Sequence, residues 1–244
     1  MAVLPIVTYD DPVLRKKAEP VEHNSPELQN LVTDLFETMY EASGVGLAAP
    51  QVGISLRLFV VDADAITEDA DEESFGPNVF INPEIEVLDG DPWDAEEGCL
   101  SLPELREKVK RPLNIRIRYL DSDFKPQQQD CSGWYARVLQ HEYDHLNGVL
   151  FIDHLGALRK RLIRGKLNQI RIGQVQAAYP LVPKIPEQAH HQQTPKHSDQ
   201  PSQSNKPNPP DKPGHSEQSD RPEPPGHRDQ PLHPSHSEHP DRRT

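Results

Sequence analysis

Apolar and polar positions follow different rhythms along this chain, and each rhythm predicts a different element. In SPELQNLVTDLFETMYEAS (25–43), Leu28, Leu31, Val32, Leu35 and Met39 recur at helical spacing. That spacing predicts an amphipathic helix with one face on a core. Ser25 is a candidate N-cap, and Pro26 suits the first helical position. GVGLAAPQVG (44–53) reads as a loop held open by its glycines. LRLFVVDAD (56–64), VFINPEIEVLD (79–89) and NIRIRYLD (114–121) cluster or alternate β-branched residues, as strands do. Between the first two, AITEDADEESFGPN (65–78) is expected to be an acidic surface loop.

A second helix is expected from about Gly133 to Asn147. Trp134, Val138, His141 and His145 share one of its faces, and Tyr135, Leu139 and Leu146 occupy the neighbouring one. So little of it is polar that it should lie centrally. A third, short and basic helix is expected at about Leu155–Ile172, with Leu155, Leu158, Leu162 and Ile163 as the residues that could pack on the domain. Strands and helices that are segregated in order suggest an α+β domain and argue against βαβ repeats.

Composition shortens the folded part. From about Pro186 the chain is Pro, His, Ser, Gln, Asp and Lys, with Leu232 almost its only large apolar side chain. Such a stretch cannot bury enough apolar surface to offset roughly 1–2 kcal/mol of backbone entropy per residue. The expected division is a catalytic-size domain over residues 1–180 and a disordered tail over 181–244. The net charge is −13, and from His190 onward seven Lys/Arg face eight Asp/Glu, so the tail carries −1 and the rest −12. An acidic domain is a poor general binder of nucleic acid, and no DNA partner is expected. Two cysteines, Cys99 and Cys131, are too few for a secreted disulfide scaffold. No apolar run approaches a membrane span, and the first residues lack the pattern of a signal peptide, so a cytoplasmic location is expected.

Chemistry concentrates in QHEYDHLNG (140–148). His141 and His145 lie about one helical turn apart, so both imidazoles can reach one cation. Glu142 projects about 100° away around the helix, where it could hold a water and take its proton without being a ligand. A third ligand is needed. The metzincin pattern fails, because Phe151 stands where its last histidine would be. A thermolysin-like glutamate is missing too, with no Glu between His145 and Glu187. Asp153 and His154 remain downstream candidates. Upstream, Cys99 in EEGCLSLP (96–103) follows a glycine and stands beside carboxylates that would be odd next to a merely buried thiol. Alone it would be read as a small core residue; beside an unfinished half-site it is the favoured third ligand.

Three stretches, GVGLAAPQVG, EGCLSLP and QHEYDHLNG, resemble the three signature motifs of the peptide deformylases, in the right order. The resemblance runs from LPIVTYDDPVLR through LFIDHL and leaves the tail outside. It implies an α+β fold with antiparallel or mixed sheets packed around a central helix that bears the two histidines. It also implies a metal-dependent hydrolase that removes the formyl group from the N-terminal formyl-methionine of newly made polypeptides. Ferrous iron is the metal implied, with zinc, nickel or cobalt able to take its place. Carried over position by position, the resemblance makes Cys99, His141 and His145 the ligands and Glu142 the general acid/base. Gln51 and the backbone N–H of Leu100 become donors to the oxyanion, and Gly46 lets the substrate backbone run close. Val45, Trp134 and Val138 are the expected lining of the methionine pocket, and Arg106 a contact to substrate main chain. Arg137 departs from the apolar residue that many members carry there, while Asp144 is expected to pair with Arg111 or Arg106. The stretch 155–175 holds Arg159, Lys160, Arg161, Arg164, Lys166 and Arg171 and no acidic residue. Inside an acidic domain this is a local attraction for polyanions, and ribosomal RNA phosphates near the exit tunnel are its expected partner.

Overall fold

The computed structural model describes residues 2–64 and 75–183. Its main sheet has five strands: β2 (Gly46–Ala48), β3 (Leu58–Val61), β4 (Asn78–Val87), β7 (Ile115–Leu120) and β8 (Pro126–Cys131), side by side in that order and antiparallel throughout. Strands β5 (Trp93–Cys99) and β6 (Leu102–Arg111) form a separate antiparallel hairpin. Near the termini, β1 (Ile6–Val7) and β9 (Leu181–Val182) pair in parallel. Helix α1 (Pro26–Glu41) and helix α2 (Gly133–Leu146) account for most of the helical core. The class is α+β, as expected.

Strand β3 explains how the layers stack. All four of its residues are buried, because successive side chains point to opposite faces and both faces are covered. Leu58 and Val60 join Leu28, Val32, Leu35 and Met39 of α1, while Phe59 and Val61 join Tyr135, Ala136, Val138 and Leu139 of α2. Each large side chain so enclosed contributes about 1.5–3 kcal/mol. Helix α1 begins as expected, with the Ser25 hydroxyl accepting from Leu28 N–H at 3.2 Å. Helix α2 stops at Gly148, whose φ is +73° and where a Cβ would stand 2.8 Å from the backbone of Arg15. Only glycine meets both conditions.

Several expectations need correction. The 44–53 stretch is not simply a loop: Gly46–Ala48 form β2, and Ala49–Val52 make a 3-10 turn. Backbone pairing with β3 decides this, not the glycines. The third helix is two, α3 (Ala157–Leu162) and α4 (Arg164–Arg171), interrupted at Ile163. Leu155 and Ile163 are buried, but Leu158 and Leu162 are 74% and 64% exposed, so they do not pack on the domain. The tertiary fold turns the helix on Ile163 and Ile170 instead, against Leu102, Leu105 and Val109 of β6. Strand β9 carries the paired chain two residues past the compositional boundary at 180. Most of the acidic stretch 65–78, and the tail from residue 184, lie outside the described residues.

Candidate metal centre

Helix α2 lies between the sheet and the hairpin, and it places His141 and His145 one above the other, 9% and 1% exposed. Cys99 approaches them from the last position of β5. Its sulfur and one ring nitrogen of each histidine lie within 4.8 Å of one another, with Cys99 Sγ 3.3 Å from His145 Nε2. Three donors at that spacing can share one ion. The downstream candidates do not join them. Asp153 accepts from Arg15 and from Leu150 N–H, and His154 Nε2 lies 2.8 Å from Asp144 Oδ2.

Charged side chains pack behind this trio. Glu97, two residues before Cys99, is buried and its Oε2 lies 3.0 Å from His141 Nδ1. A proton held on Nδ1 by that contact leaves the Nε2 lone pair free to face a cation. Arg111 donates to both oxygens of Glu97, at 2.7 and 3.0 Å, and reaches Asp144 at 2.8 Å. Arg111 is thus the partner of Asp144, and Arg106 is not. Arg137, 2% exposed, adds a second guanidinium on Glu97 at 2.6 Å, donates to the carbonyls of Val109 and Trp93, and lies over the Trp93 ring at 4.4 Å. Burial alone would raise the Glu97 carboxyl, but hydrogen bonds from His141 and Arg111 hold it well below the usual carboxylate range. Burial pulls His141 down, yet Cys99 and Glu97 push it up to about 10. Burial, with His141 alongside, keeps His145 well below its ordinary value. A thiol and two imidazoles brought together, with the buried Glu97 carboxylate behind one of them, fit a divalent cation.

Glu142 lies beside His141 in sequence and is enclosed by the fold. It is 4% exposed, and burial pushes its carboxyl up to about 7. Its neighbour is Gly46 of β2, where a Cβ would fall 2.5 Å from Glu142 Oε1. The missing side chain at Gly46 is thus the space in which the carboxylate sits. Gln51 is buried in the 3-10 turn after β2. Its Oε1 accepts from Ala48 N–H at 2.8 Å, which turns its amide nitrogen toward Cys99 Sγ at 3.5 Å. Leu100 follows Cys99 in the hairpin turn, and its carbonyl accepts from the Tyr179 hydroxyl at 2.8 Å.

The pocket candidates scatter more. Val45 and Val138 pack in the same apolar cluster on α2. Trp134 instead meets Trp93 edge to face, with ring centroids 5.0 Å apart. Arg106 is exposed on β6, opposite Gly98, and lies along that glycine's open face. Glu97, Arg137 and Tyr179 were not anticipated as parts of this assembly. The carboxylates beside Cys99 and the arginine on an otherwise apolar helix were the available signals; for Tyr179 there was none.

The family model described as polypeptide deformylase matches residues 3–161. The chain is 50% identical over 179 residues to the peptide deformylase of Cytophaga hutchinsonii, covering 72% of this chain and 95% of that protein. It is 50% identical over 186 residues to that of Salinibacter ruber, covering 75% and 95%. Among solved structures, a peptide deformylase from Legionella pneumophila is 43% identical with a TM-score of 0.62, covering 71% of this chain and 98% of that one. One from Ehrlichia chaffeensis, in complex with actinonin, is 36% identical with a TM-score of 0.65, covering 72% and 100%.

Proposed function

The chain belongs to the polypeptide deformylase family, and from that membership we propose which of its residues perform each part of the reaction. The protein is a metal-dependent hydrolase that removes the formyl group from the N-terminal methionine of nascent polypeptides. Cys99, His141 and His145 hold the metal in this reading. Ferrous iron is the proposed ion on the strength of the family resemblance, and zinc, nickel or cobalt would suit the same donors. Once bound, a divalent cation there supplies Lewis acidity, bringing the ionisation of a water to near neutral pH.

Every other part is assigned to the chain itself. Glu142 takes a proton from the attacking water and returns it to the leaving amine; a carboxyl pushed up to about 7 by burial suits both transfers. The Gln51 amide, with its oxygen committed to Ala48 N–H, donates to the oxyanion that develops at the formyl oxygen. The backbone N–H of Leu100 is the second donor. Val45, Val138 and Trp134 are proposed to receive the methionine side chain, and Arg106 the peptide backbone. Gly46 serves by leaving room for Glu142 as well as for substrate. The observation that carries this reading is the convergence of Cys99, His141 and His145 next to a buried, unliganded carboxylate.

Mutants separate binding from proton transfer. Cys99→Ala and His141→Ala should each lose metal and activity together. Glu142→Gln should keep the metal while losing about 10²–10⁴-fold in rate. Metal loss from Glu142→Gln as severe as from His141→Ala would make Glu142 a ligand instead. Metal analysis of protein purified without oxygen identifies the ion.

Residues 1–180, with the β9 pair Leu181–Val182 that joins them, are proposed as the catalytic domain and the rest of 181–244 as an appended tail. No helix among the described residues is long and apolar enough to cross a membrane, and action in the cytoplasm, where chains are initiated with formyl-methionine, is the proposed location. The basic stretch 155–175 is proposed to contact ribosomal RNA phosphates. Arg159 and Lys166 are paired with Glu107 and Glu104, so Arg161 and Arg164 are the cations assigned to that contact.

A further inference from the structure

We propose that the segment following α4, residues 173–183, is a strap that fixes Leu100 from its carbonyl side, and so aims the N–H on the peptide unit before it, with Tyr179 as the positioning residue. The proposal rests on the reading of Leu100 N–H as an oxyanion donor. Tyr179 lies beyond residue 161, where the family match ends, yet its hydroxyl reaches the turn that follows Cys99. It donates to the Leu100 carbonyl at 2.8 Å. The next carbonyl, that of Ser101, accepts from Tyr9 N–H at 3.0 Å. Two consecutive peptide units of the turn are therefore tied down from outside the hairpin.

The two ties are one device. Tyr9 follows β1, and β1 is the strand that β9 pairs with, Ile6 opposite Leu181 and Val7 opposite Val182. Ile6 N–H donates to the Pro180 carbonyl at 2.9 Å and Thr8 N–H to that of Val182 at 3.3 Å. The strap is thereby anchored at Pro180 and Val182, immediately after Tyr179. A third restraint comes from the Leu100 side chain. Its Cδ1 lies 2.9 Å from where a Cβ on Gly44 would stand, and it packs against the apolar cluster that holds Leu47 and that Tyr179 and Leu181 also border. A backbone donor stabilises a developing charge only if it is aimed before the charge appears. The hairpin alone leaves Leu100 and Ser101 at its tip, between the paired residues Cys99 and Leu102. The strap supplies the restraint that a two-residue turn lacks.

Tyr179→Phe tests this in the full-length, metal-loaded protein, since it removes one hydroxyl and keeps the packing ring. With a short formyl-Met peptide, kcat should fall about three- to tenfold, the scale of one lost hydrogen bond, with KM changed by less than about twofold. The order parameter of the Leu100 N–H, measured on zinc-loaded ¹⁵N-labelled protein, should fall, while metal content and melting temperature hold. Tyr40→Phe is the control: it removes a hydroxyl bonded to Asp62 at 2.7 Å, and kcat should not change. If Tyr179→Phe leaves both kcat and the Leu100 order parameter at wild-type values, the strap is refuted. A loosened Leu100 with undiminished kcat would refute the donor role beneath the proposal and leave the tether standing, so the two failures read differently.

Discussion

Gly46→Ala offers a sharp test of how the proton-transfer carboxylate is housed. The added Cβ would fall 2.5 Å from Glu142 Oε1 and 2.9 Å from both Cδ and Cγ. Ordinary contact needs about 3.5–4 Å between such atoms, so the carboxylate must retreat by about 1 Å. Glu142 is 4% exposed and cannot swing into solvent without opening the site. Overpacking of this kind costs about 1–3 kcal/mol. The backbone term has the opposite sign, because alanine in an unstrained strand gains about 0.4–1 kcal/mol over glycine. The two separate in a double-mutant cycle. In a Glu142→Ala background the obstruction is gone, and Gly46→Ala should be neutral or stabilising. The difference between backgrounds, about 1–3 kcal/mol by urea unfolding, is the coupling. Alone, Gly46→Ala should retain metal but lose about 10²-fold in kcat, the scale of a 1 Å misplacement of a reacting group. Equal stability costs in the two backgrounds would show that Glu142 does not fill the space at Gly46. Undiminished turnover would show that its position there does not matter to the reaction.

Removing the metal should expose one thiol. In chelated protein Cys99, partly exposed, should react rapidly with a thiol reagent and be protected on reloading; Cys131, 5% exposed and pushed by burial to about 12, should stay silent. Rapid reaction of both thiols in the folded protein would contradict this. Gln51→Leu should lower kcat by about 10²-fold, and an effect confined to KM would remove Gln51 from the oxyanion. Arg137→Met takes one of two guanidinium groups from Glu97, so metal should be held about tenfold less tightly and the cobalt-substituted protein should shift its visible bands. Retention and spectrum equal to wild type would assign Arg137 to packing alone. Arg161→Glu with Arg164→Glu should abolish ribosome co-sedimentation at low salt and leave hydrolysis of a short formyl-Met peptide unchanged; undisturbed co-sedimentation would exclude the helix as the contact.

The chain's local rhythms were enough to find α1, α2 and the metal-facing pair His141 and His145, because helical spacing puts residues four apart on one face whatever surrounds them. Strands β3, β4 and β7 were legible because β-branched residues cluster or alternate in them. Strand β8, PQQQDC, was not, since it is mostly exposed and exists only by pairing with β7. Strand β6 does alternate buried and exposed positions, but Glu107 and Arg111 occupy buried ones, and their charges hide the pattern. The third donor, Cys99, could be favoured from the sequence but not joined to the histidines, because its approach depends on how the hairpin docks against α2. The same holds for Glu97 beneath His141, for the room that Gly46 leaves to Glu142, and for Tyr179 on Leu100. Each is a contact between segments distant along the chain, and no periodicity records those. The sequence by itself determined the chemistry available and the helix that presents half of it; only the tertiary structure decided which distant groups meet there, since that choice is made by packing over the whole domain.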